Sequence, residues 1–146
     1  MLGLLTLSFA LASQSPDFSV LQDIQRSHIE ANVPPSAEFN RILQRDLDSY
    51  VTKMRGKTAR VEYEMLRDGP TQSGIAYPKF YVWVRVFEGA SVVDQGAVRL
   101  AAIERREFQV TDFLSERAIR TDPKAIYRVF PTPVCERINS KLGIAK

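Results

Sequence analysis

The sequence predicts an α+β domain: N-terminal helices packed on a curled antiparallel sheet of three or four strands, followed by short C-terminal helices. Three observations carry this. Apolar residues recur at helical spacing up to Met54. From Ala59 to about Val110 the period falls to two, with turn residues between the runs. Beyond that, proline and capping residues punctuate short helical stretches. Helices and strands in separate blocks, not alternating, define the α+β class.

Residues 1–12, MLGLLTLSFALA, carry no charged side chain, and Ala10-Leu11-Ala12 fits the small-x-small pattern that precedes a signal-peptidase cut before Ser13. The run is too short to cross a bilayer core of about 30 Å. It predicts an export signal and a single α+β domain over 13–146, periplasmic or secreted. The segment lacks the Lys or Arg that normally opens a signal, so an uncleaved N-terminal helix is the alternative reading.

Ser15-Pro16-Asp17 reads as a helix start, with Leu21, Ile24, His28 and Ala31 on one core-facing stripe and Pro34-Pro35 ending the element. Ser36 is expected to cap the next helix. Phe39, Ile42, Leu43, Leu47, Tyr50, Val51 and Met54 form its apolar face, and Gly56 closes it. Residues 58–66 alternate as a half-buried strand, and 76–87 form a second. A turn at Glu88-Gly89-Ala90 leads into a third strand ending near Ile103, and 107–110 can add a short fourth. Helix starts follow at Thr111-Asp112, Asp122-Pro123 and Thr132-Pro133, with Gly143 as the last stop. This order is similar to that of cystatin-like and NTF2-like folds, although no motif carries the similarity, and fold-level analogy assigns no function.

With 146 residues, 45% apolar and 25% charged, the chain has the balance of an ordinary globular domain and can build a core without a disulfide or metal. Its one Cys, one His and charge of +3 leave no basis for a cysteine framework or a histidine-rich metal site. No glycine-rich phosphate loop, paired CxxC, HExxH or GxSxG pattern is present, and arginines are scattered without a basic stripe. The expectation is therefore no cofactor, no metal, no nucleic acid and no transmembrane span, with no assigned catalytic residue.

The second and third strands give the most specific expectation. Hydrophobic pattern fixes register, because a one-residue slip exchanges the two faces. Phe80, Val82, Val84 and Val86 with Val98 and Leu100 then form a core face. Tyr81, Trp83, Arg85, Phe87 and Arg99 occupy the opposite face, with Glu62 and Glu64 beside them. Aromatic and arginine side chains favour a protein-partner or small-ligand surface. The competing reading makes the same face a second core beneath the C-terminal helices, with polar tips at its rim. A pocket between the long helix and the sheet is the rival site, and Tyr50, Tyr63, Asp94 and His28 are its candidates. His28 and Cys135 otherwise read as packing residues, and Glu62 and Glu64 as members of a surface ion-pair network.

Overall fold

The computed structural model of the protein describes residues 18–145. The apolar run 1–12 and the helix start at Ser15–Asp17 lie outside the described residues. Two helices come first, α1 (Phe18–Asn32) and α2 (Ser36–Arg55). Four strands follow, β1 (Arg60–Met65), β2 (Lys79–Glu88), β3 (Ser91–Ile103) and β4 (Glu107–Ser115). The chain ends in α3 (Glu116–Thr121), a 3-10 turn (Pro123–Arg128) and α4 (Thr132–Leu142). The strands form one antiparallel meander in the order β1-β2-β3-β4. The expected α+β class is the observed one.

The hydrophobic pattern sets the register as anticipated. Val82 lies opposite Val98 and Phe80 opposite Leu100. These residues, with Val84 and Val86, pack against Ile42, Leu43, Leu47 and Val51 of α2. On the other face, Tyr81 lies opposite Arg99, Trp83 opposite Glu64, and Arg85 opposite Glu62. A second core covers much of this face: Leu66, Tyr81, Trp83 and Ala97 pack with Ile119, Ile126, Phe130, Val134, Cys135 and Ile138. The sheet is therefore the middle layer of three. Gly96 is needed where β3 approaches β4, since a Cβ there would stand 2.3 Å from the Leu114 carbonyl oxygen.

Helix α2 also closes both edges of the sheet. Side chains four residues apart on one flank reach β1. Thr52 Oγ1 exchanges hydrogen bonds with the Ala59 backbone, Asp48 Oδ1 accepts from Val61 N at 2.8 Å, and Gln44 Nε2 donates to Val61 O at 2.9 Å. On the other flank, Asp46 Oδ2 accepts from Phe108 N of β4 at 2.7 Å, and Arg45 donates to Arg106 O. Unpaired edge groups would otherwise template association with another strand.

Several boundaries differ from the sequence expectation. Pro35, not Ser36, holds the N-cap position of α2, and its carbonyl accepts from Glu38 N and Phe39 N. The second strand starts at Lys79, because Pro78 has no N–H for the ladder. The fourth strand continues through Thr111-Asp112, where a helix start was expected. A register shift opposite Arg99/Leu100 accommodates the extra residue, and Arg99 pairs with Asp112 at 2.6 Å. Ser115 makes the cap instead, accepting from Ala118 N. The stripe on α1 is not core-facing throughout: Leu21 and Ile24 are about half exposed. The helix docks through its last residue, Asn32, whose carbonyls accept from Glu104 N and Arg105 N.

Candidate binding recess

Alternation places Tyr81, Trp83, Arg85 and Phe87 on one face of β2, with Arg99 beside them on β3. The helices then divide the five. Tyr81 and Trp83 are buried in the second core, at 4% and 2% exposure. Tyr81 also stacks edge-on against Phe130 at 6.1 Å and shares a 2.6 Å hydrogen bond with Thr71 Oγ1. Arg99 is committed to Asp112 and donates to the Val129 carbonyl at 3.3 Å, tying the 3-10 turn to the sheet. Phe87 is buried beneath two guanidinium groups, with Arg60 at 4.4 Å and Arg85 at 5.2 Å from its ring centroid. This face is thus no open aromatic platform. Its structural reading describes Tyr81, Phe87 and Arg99, whereas Arg85 and one side of Trp83 border open space.

That space is a recess of about 200 Å³ between β1, β2 and α4, lined by Glu62, Tyr63, Glu64, Trp83, Arg85 and Lys141. Each wall follows from local structure. Glu62 and Glu64 share a face of β1 because strand side chains alternate. Trp83 and Arg85 are their cross-strand partners on β2. Lys141 arrives from α4, just off the apolar line Val134, Ile138 and Leu142 that seats the helix.

The charges are paired across the recess. Arg85 lies 3.4 Å from Glu62, which Arg60 also approaches at 3.8 Å. Lys141 forms an ion pair with Glu64, and its Nζ lies 5.7 Å from the Trp83 ring centroid. Trp83 carries one further feature. Its buried indole N–H has no acceptor among the described residues, a condition that costs roughly 1–3 kcal/mol when a polar group is taken out of water.

A second recess, of about 270 Å³, adjoins the first and is lined by Glu64, Leu66, Arg137, Ser140 and Lys141. The two share Glu64 and Lys141, so this ion pair stands at their common edge. Arg137 and Lys141 are the residues that sequence reasoning missed. Their signal was their placement flanking the apolar stripe of the last helix, where long side chains reach the layer below.

The rival pocket of the sequence reading is distributed differently. The space between α2 and the sheet is filled by the first core, against which Tyr50 and Tyr63 pack half-buried. Burial raises the pKa of both phenols, with the Asp112 charge adding to the rise at Tyr50. Asp94 sits beside the β2–β3 turn and accepts from Gln95 N. His28 is on α1, whose end docks near Glu104, at the opposite end of β3. Ten residues of strand, about 33 Å, separate these ends.

Cys135 is buried and donates to the Phe130 carbonyl at 3.4 Å. Desolvation pushes its thiol up to about 11, so it remains protonated at neutral pH. Among the described residues no group of His, Cys, Asp and Glu is arranged to hold a metal ion, and no helix is long and apolar enough to cross a membrane. No family model, curated protein or solved structure matches the chain.

Proposed function

We propose that this protein is an exported, non-catalytic binding domain whose ligand site is the recess around Trp83 and Arg85. One observation carries the reading: the sheet face is open here, over a buried tryptophan whose N–H lacks an acceptor among the described residues. Charges of both signs surround this point on three separate elements. Such a mixture of apolar floor and convergent polar groups suits a small polar ligand or the side chain of a partner. Trp83 supplies a rigid contact surface, and Arg85 supplies a directional fork of donors. The protonated, buried Cys135 favours binding over thiol chemistry. Export rests on the apolar segment 1–12 and its Ala10-Leu11-Ala12 ending.

The test is a thermal-shift screen of small amines, carboxylates, amino acids and short peptides against the full chain and Arg85→Ala. Arg85 is about half exposed, so its truncation leaves both cores intact. Compounds that stabilise the wild type should lose at least half of their shift in the variant. Equal shifts in both proteins would place the ligand site elsewhere.

A further inference from the structure

We propose that the recess accepts a compact zwitterion of the α-amino acid class, which binds by replacing the Glu64–Lys141 ion pair with two ion pairs of its own. This inference rests on the recess being the ligand site. Opposite charges line the recess, with Glu64 on β1 facing Lys141 on α4. Glu64 and Lys141 stand at the common edge of the two adjoining recesses. A ligand that engages either side chain competes with the other for it.

The charge of the ligand follows from that competition. A simple anion would satisfy Lys141 and strand Glu64, and a simple cation would do the reverse. Either single-charge ligand thus loses one ion pair for the one it gains. A zwitterion avoids both losses. Its ammonium takes Glu64, with Glu62 on the same strand face, and its carboxylate takes Lys141. Arg137 strengthens the second half, because it lines the adjoining recess beside Lys141. A guanidinium and an ammonium beside one carboxylate make a charge-assisted site.

Size limits the ligand further. At about 30 Å³ per water, 200 Å³ offers roughly seven water-sized positions. That is room for an amino acid with a small side chain, which would lie toward Trp83. Lys141 has the rotamer freedom to swing aside, being one-third exposed at the end of α4.

Trp83 is the only tryptophan of the chain, so its emission reports on the recess. The full chain is titrated at neutral pH with L-alanine, with N-acetyl-L-alanine as the anion-only probe and with L-alaninamide as the cation-only probe. Calorimetry is run in parallel in case the emission is insensitive. Alanine should saturate at a concentration at least tenfold below either single-charge probe. Lys141→Gln and Glu64→Gln should each weaken alanine at least tenfold while retaining the wild-type circular dichroism spectrum. The inference is overturned if either single-charge probe matches alanine, if both variants bind alanine normally, or if alanine gives neither signal at millimolar concentration. Failure here, with other compounds still depending on Arg85, would remove the zwitterion and leave the recess standing. Compounds indifferent to Arg85→Ala would remove the recess itself.

Discussion

Cys135 and Trp83 show how burial assigns opposite roles to two residues of one core. Cys135 has its donor matched to a carbonyl, and desolvation holds its proton. Its folded pKa lies above the ordinary thiol value, so the folded state binds this proton more tightly than the unfolded chain. The resulting stability is complete below about pH 8.5 and is lost as pH rises toward 11. The denaturation midpoint should therefore fall between pH 8 and pH 10.5, and Cys135→Ala should flatten that fall. Tyr50 and Tyr63 contribute in the same sense, so some slope should remain. Parallel profiles for the two proteins would show that the thiol does not titrate with unfolding. Trp83 is equally buried but lacks an acceptor among the described residues, and it alone of the pair lines open space.

At the scale of elements, α2 does more than fill the concave side of the sheet. Its Asp48 holds both Gln44 and the Val61 N–H, so one carboxylate orients a second clip and closes the β1 edge. Asp48→Ala should destabilise the fold by about 1–3 kcal/mol, because the edge N–H loses its acceptor. Asp48→Asn retains an acceptor oxygen and should recover part of that loss. Denaturant unfolding compares the two, and an Asp48→Ala midpoint equal to wild type would mean that water replaces the clip without penalty. This ladder is not legible in the sequence, because nothing in the helical spacing says which polar side chains of α2 meet the sheet edge. The same periodicity did identify α2, both faces of β2 and the end of α4 at Gly143. Each of those depends on residues near one another in the chain. The extension of β4 past Thr111 did not, since the bulge opposite Arg99 overrides a local helix-start signal.

At the scale of the molecule, the two cores meet across one sheet, and the recess around Trp83 and Arg85 interrupts the cover on its second face. The wall of that recess joins β1 to α4 through Glu64 and Lys141, 77 residues apart. The export proposal also belongs to this scale. Intact-mass measurement of the protein from its native compartment should give a chain starting at Ser13. A mass that retains residues 1–12 would refute cleavage and make the apolar segment part of the working protein.

By itself the sequence determined the α+β class, the antiparallel meander and the partition of β2 into two faces, because alternation and helical spacing are properties of adjacent residues. It brought Glu62, Glu64, Trp83 and Arg85 to one face on the same ground. Only the tertiary structure decided that Tyr81, Trp83 and Phe87 are covered, that Arg99 is spent on Asp112, and that Lys141 completes a recess. The cover over Tyr81 and Trp83 and the arrival of Lys141 depend on where the chain travels after β4, while Phe87 and Arg99 are settled by side chains of neighbouring strands.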